Sequence, residues 1–252
     1  MPTVTSRDGT RIAYESTGSG PPLVLIDAAG HFRANSSLRE LADQLAPEFT
    51  VLRYDRRGRG DSADTPPYAP AREVEDLAAL VTAVGAPASL YGYSSGCLLA
   101  LHAAAAGLDV HRLVLLEPPL DPAEDSAEQR AFTAALRESS GEDTVAFFLT
   151  GIGVPEEMVA GMRGSPHWRA MASVAHTFAY DSQLSEETTA ALLSRVTVPT
   201  LVLDSAGSSG DLTGMAATAA AMLPNAVHRS LPGEWHQVPA ETLAPAVADF
   251  LR

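Results

Sequence analysis

Cysteine is nearly absent from this chain. Cys97 is the one thiol in 252 residues, so no internal disulfide can form and no multi-thiolate metal site can be assembled. Long apolar runs are missing too. No stretch approaches a membrane span, and Met1-Pro2-Thr3-Val4-Thr5-Ser6-Arg7-Asp8 has no apolar core of the kind a secretory leader needs. Positive charge is scarce: 17 Lys and Arg stand against 31 Asp and Glu, a net charge of -14. Such a surface repels phosphate backbones and anionic membranes. No complete G-x-G-x-x-G phosphate loop occurs either, because Gly18-Ser19-Gly20 runs into Pro21 and Pro22, and no metal-ligand spacing is present. These absences predict a cytoplasmic protein with no nucleic-acid or membrane partner, no cofactor and no metal.

What is present reads as one packed α/β domain with an insertion, since 46% of residues are apolar and 19% charged. Short continuous apolar runs recur at Leu23 to Ile26, Thr50 to Leu52, Ser89 to Tyr91, Leu113 to Leu116 and Leu201 to Leu203. Helical candidates alternate with them around Asn35 to Leu45, Arg72 to Val84, Cys97 to Ala106 and Met215 to Met222, and a closing helix follows over Pro239 to Leu251. Runs apolar on every residue, separated by helices, predict a mostly parallel central sheet covered on both faces. The alternation stops between Leu116 and Pro199. There Phe132, Leu136, Phe147, Phe148, Met158, Met162, Trp168, Met171 and Phe178 recur on mostly helical spacing. Residues 119–193 are therefore expected to form a helical cap over a core made of residues 1–118 and 194–252. Most of its apolar side chains should pack the cap's own interior, with some lining a pocket.

The sharpest motif is Gly92-Tyr93-Ser94-Ser95-Gly96, set directly after a strand and directly before an Ala-rich helix. A G-x-S-x-G at such a turn holds the serine on a tight bend at the top of the sheet. Ser94 would then stand at a helix N-terminus, where the Ser95 N–H and the helix dipole favour a developing oxyanion. With this context the sequence resembles the α/β-hydrolase superfamily over essentially its whole length. Asp55-Arg56-Arg57-Gly58-Arg59-Gly60-Asp61-Ser62 is similar to that superfamily's D-x-R-G-x-G-x-S turn.

A serine hydroxyl needs a neighbouring base, and the resemblance points to His236, in the loop between the last strand (Ala226 to Leu231) and the last helix. The orienting acid is less regular. In the P-x-L-V-x-x-G-x-x-D arrangement of the family, aligned on Pro199, Ser208 occupies the acid's place. Glu117, at the end of the strand after the nucleophile helix, is the favoured acid, because some superfamily members, certain haloalkane dehalogenases among them, draw it from that strand. Asp211 is the alternative, and Asp204 a further one. The oxyanion loop reads Asp27-Ala28-Ala29-Gly30 where the family commonly has His-Gly, so Ala29 and Ser95 are the expected donors and the role of Asp27 stays open.

The resemblance implies a serine hydrolase that cleaves an apolar carboxylic ester or lactone through a Ser94 acyl-enzyme. His31, Tyr93, Phe148 and Trp168 are the expected substrate contacts. C–C bond hydrolysis or perhydrolysis would use the same residues, and a non-hydrolytic ligand-binding or cyclase role would use the same fold.

Overall fold

A computed structural model describes residues 1–85, 87–120 and 126–252. Among them one eight-stranded sheet runs in the order β1-β2-β4-β3-β5-β6-β7-β8. Its strands are β1 (Thr3–Thr5), β2 (Arg11–Thr17), β3 (Pro22–Ile26), β4 (Thr50–Tyr54), β5 (Ala88–Tyr93), β6 (Val110–Leu116), β7 (Thr200–Ser205) and β8 (Ala226–Leu231). β1 and β2 pair antiparallel, and every pairing from β4 through β8 is parallel. The two antiparallel strands do not read as buried apolar runs, because β1 is a short exposed edge strand and β2, between β1 and β4, is fully buried only at Ile12 and Ala13.

The pleat sorts each buried run between two layers. Val24, Ile26, Leu52, Leu90, Leu113, Leu115 and Val202 join one apolar cluster with α2 (Pro70–Val84), α3 (Ser95–Ala105) and α10 (Gly210–Met222). Their strand neighbours Leu23, Leu25, Val51, Tyr91, Val114, Leu201 and Leu203 face the other cluster, with α1 (Leu38–Leu45) and α11 (Ala240–Leu251). Burial on both faces is why these strands are apolar at every position.

Between β6 and β7 lie α4 (Ser126–Glu138), α5 (Gly141–Gly151), α6 (Glu156–Met162), α7 (Pro166–Ser173), α8 (Phe178–Glu187) and α9 (Ala190–Leu193), and no strand occurs among the described residues there. Part of the 119–193 stretch, residues 121–125, falls outside the described residues. Leu136, Val145, Phe148, Trp168, Met171 and Phe178 build a third apolar cluster. The ends of the stretch belong elsewhere: Leu120, Leu184, Leu192 and Leu193 pack into the first cluster beside the sheet. Helix α8 thus spans both, with Phe178 in one cluster and Leu184 in the other. Among the described residues no helix is long and apolar enough to cross a membrane.

The packing of α3 against β3 sets how closely the two approach. A Cβ added at Gly96 would lie 2.4 Å from the Ile26 carbonyl oxygen, a backbone atom that cannot rotate away. Gly161, inside α6, has nothing within 4 Å of that position. Gly96→Ala is therefore expected to lower unfolding free energy by about 1–3 kcal/mol. Gly161→Ala is expected to raise it by about 0.5–1 kcal/mol, both measured by urea denaturation.

Candidate active site

Ser94 occupies the single step between β5 and α3, with φ 52 and ψ -122. Its N–H is tied to the Leu116 carbonyl at 2.9 Å, which locks the bend to the neighbouring strand. A Cβ on Gly92 would lie 2.6 Å from Cys97 Cα, so the first glycine of the motif makes room for the helix to turn back. The Ser94 hydroxyl makes no capping bond to α3 and is left for other partners. Cys97 is buried behind the turn, and burial pushes its thiol pKa well up, so it has no thiolate character to offer.

Two more loops converge on this bend. Glu117 follows β6 directly, and its N–H bonds the Leu203 carbonyl at 2.8 Å. Its carboxylate is fully buried and touches His236 Nδ1 through Oε2. The other oxygen, Oε1, accepts the Ser205 N–H at 2.9 Å and the Ser208 hydroxyl at 2.6 Å. Burial alone would raise the Glu117 pKa, but the bonds from His236, Ser208 and Ser205 outweigh it and hold the group below the ordinary range. His236 is held from two further sides: its N–H donates to Ser208 Oγ at 2.9 Å, and the Tyr93 hydroxyl donates to its carbonyl at 2.6 Å. With Nδ1 against a carboxylate, Nε2 is the nitrogen left for proton transfer.

Ser94, Glu117 and His236 share a backbone property that no side-chain pattern reveals. Among the described residues they are the non-glycine residues with positive φ, at 52, 50 and 53. Such conformations are unfavourable for residues with a Cβ, and they persist where the surroundings over-determine them.

The other acids considered lie elsewhere. Asp204 is engaged by His228 Nε2 and by the Ser230 hydroxyl at 2.6 Å. Asp211 is exposed in the first turn of α10. Ser208, at the position where a carboxylate was expected, instead bridges Glu117 to the His236 backbone.

Beside the bend, the loop Asp27 to Gly30 leaves β3. Ser95 opens α3, so its N–H has no intrahelical acceptor. The Ala28 carbonyl accepts Arg59 Nη1 at 2.7 Å, and Asp27 Oδ1 turns back to accept the Ala28 N–H at 3.1 Å. His31 Nδ1 meets the Ala29 carbonyl at 2.9 Å, and its ring lies 5.1 Å from that of His167.

Of the expected substrate contacts, one braces the His236 loop and two lie inside the third cluster. The Tyr93 hydroxyl is committed to the His236 carbonyl and braces that loop. Trp168 has no exposed surface and packs inside the third cluster, where the helical register of α7 directs it. Phe148 is also buried there, its ring 4.5 Å from Phe178. From the same cluster, the buried side chains of Phe178 and Met171 pack against the loop: a Cβ on Gly30 would lie 2.7 Å from Phe178 Cζ and 3.2 Å from Met171 Cγ. Sequence periodicity marked Phe178 only as an apolar position, because helix phase and depth are set by the tertiary contacts. Among the described residues no three His, Cys, Asp or Glu side chains are gathered so as to hold a metal ion.

The sequence matches the Alpha/beta hydrolase family over residues 18–250. An alpha/beta hydrolase from Sphaerobacter thermophilus DSM 20745 is 42% identical, with a TM-score of 0.87 and 100% of both chains covered. A hydrolase from Pseudomonas aeruginosa PA01 is 26% identical, with a TM-score of 0.81, and covers 99% of this chain and 97% of its own. The pimeloyl-[acyl-carrier protein] methyl ester esterase of Xylella fastidiosa strain M12 is 39% identical over 103 residues, 40% of this chain. That match spans 38% of the esterase's length.

The lowered pKa of Glu117 has a stability signature. A carboxylate whose pKa falls on folding contributes stability that is present above its unfolded value and lost as pH falls through the folded one. Glu117→Gln is therefore expected to be less stable than the native chain near neutral pH. The gap should narrow as pH drops below the ordinary glutamate value of 4.5, in thermal unfolding followed by circular dichroism across pH. A gap constant over that range would contradict the ionised pairing.

Proposed function

The chain belongs to the alpha/beta hydrolase family, and from that premise we propose that it cleaves apolar carboxylic esters or lactones through a covalent Ser94 intermediate. Ser94 Oγ attacks the carbonyl carbon while His236 Nε2 takes its proton. The tetrahedral oxyanion forms against the N–H groups of Ala29 and Ser95. Its collapse breaks the C–O bond, and His236 returns the proton to the departing alkoxide. Water, deprotonated by His236, then attacks the acyl carbon and regenerates Ser94. Glu117 stays ionised throughout and stabilises the imidazolium formed at each stage.

The observation that carries this reading is the convergence of Ser94, Glu117 and His236, each held at positive φ, with the buried Glu117 carboxylate on His236 Nδ1. The ester class is supported by the similarity to a methyl ester esterase, and the apolar preference by the third cluster, whose buried Phe178 and Met171 pack against Gly30 of the loop after β3. In this reading α4 to α7 and the start of α8 act as the cap over the strand ends.

A fluorophosphonate probe followed by peptide mass spectrometry tests the assignment without knowledge of the natural ester. An adduct on Ser94 is expected, absent in Ser94→Ala and His236→Ala, much slowed in Glu117→Gln and unaffected in Asp211→Asn. Hydrolysis of a p-nitrophenyl ester should fall by at least about 10⁴-fold in Ser94→Ala. Labelling of the native chain at a residue other than Ser94 would overturn the reading.

A further inference from the structure

The D-x-R-G-x-G-x-S turn specifies one arginine, and here that is Arg57, whose guanidinium pairs with Asp76 and Asp8. Arg59 stands at an unspecified position of the same turn, yet its side chain is 99% buried, with 1% exposure. A charge that deep in a protein must have fixed partners. Arg59 Nη2 pairs with Asp181 Oδ2 from α8, and Nη1 donates to the Ala28 carbonyl at 2.7 Å and to the His31 carbonyl at 3.2 Å. Asp181, equally buried, accepts Arg56 Nη1 and the Ser95 hydroxyl, the latter at 2.8 Å, through its other oxygen. One carboxylate thus reaches supports of both proposed oxyanion donors.

The geometry of a peptide gives this arrangement a consequence. The Ala28 carbonyl and the Ala29 N–H are the two ends of one trans peptide, so they point in opposite directions. Holding the carbonyl on a guanidinium fixes where the N–H points. A charge-assisted bond at the oxygen also polarises the amide and strengthens its N–H as a donor. We propose that Arg59, anchored by Asp181, is a positioning residue that aims the Ala29 N–H at the oxyanion, and that Asp181 links the seating of α8 to both halves of the hole. The inference rests on the Ser94 acyl-enzyme reading. It adds that a buried ion pair reaching across from α8 sets the strength of that hole. Arg59 touches no reacting atom in this role and acts only through the peptide.

An aryl trifluoromethyl ketone separates this role from plain structural support, because its serine adduct carries the oxyanion while the matching methyl ketone binds without forming one. Arg59→Lys keeps both charges but loses the two-armed fork, and Asp181→Asn keeps the shape while weakening the anchor. In both, kcat on a p-nitrophenyl ester should fall about 10- to 100-fold with KM nearly unchanged, a smaller loss than removing a donor outright. Affinity for the trifluoromethyl ketone should fall by the same factor, and affinity for the methyl ketone should hold. Folding is checked by circular dichroism; should Asp181→Asn not fold, the charge-preserving Arg59→Lys carries the test. Native kcat and native trifluoromethyl ketone affinity in a folded variant would overturn the proposal. Failure of the native chain itself to form a Ser94 adduct would instead remove the acyl-enzyme reading, and this inference with it.

Discussion

Four buried charges hold the upper part of the molecule together. Arg56 and Arg59, from the turn after β4, meet Glu73 of α2 and Asp181 of α8, with side chains between 1% and 2% exposed. Burying such groups is costly unless every one is paired and hydrogen-bonded, and here the pairing is dense. Arg56 grips Glu73 through two parallel bonds at 2.7 and 2.8 Å, and Asp181 is shared by both guanidiniums and Ser95. Burial pushes the Asp181 carboxyl up, but the two arginines draw it below its ordinary range, so it stays ionised. Because removal of any one member strands the others in an apolar interior, α2, α8, the start of α3 and the loop after β3 have one mutual arrangement.

A second buried carboxylate organises the opposite side of the site. Glu117 gathers the ends of β6, β7 and the His236 loop by accepting from Ser205, Ser208 and His236. Glu117 and His236 meet directly, the Ser94 N–H bonds the Leu116 carbonyl one residue before Glu117, and each of the three carries a strained backbone. Ser208 links Glu117 and His236: at the position that aligns with the family's acid, its hydroxyl donates to the Glu117 carboxylate and accepts the His236 N–H. One buried anion frames the proposed oxyanion hole, and the other frames the proposed base.

Much of this was legible in the chain itself. Buried strands announce themselves as runs such as Leu23 to Ile26, since both faces are covered, and the motif around Ser94 is informative because a strand precedes it and a helix follows. Strands β1 and β2 are fully buried only at Ile12 and Ala13 and lack that signature. Position at a strand end made Glu117 the leading acid. The engagement of Asp204 by His228, and the exposure of Asp211, depend on pleat direction and helix phase that spacing does not encode. The same limit misplaced Trp168 and Phe148, whose helical spacing tells that they are buried but not which cavity or core they face. Arg59 and Asp181 are 122 positions apart, so their meeting is a property of the fold and leaves no local trace.

The most direct measurement is the low-field proton NMR spectrum of the protein, read for the imidazole Nδ1 proton of His236. A carboxylate held against Nδ1 deshields that proton strongly and protects it from exchange. The resonance should be present in the native chain and in Asp204→Asn and Asp211→Asn, and absent from Glu117→Gln. Its persistence in Glu117→Gln, or its loss in Asp211→Asn, would contradict Glu117 as the acid that orients His236.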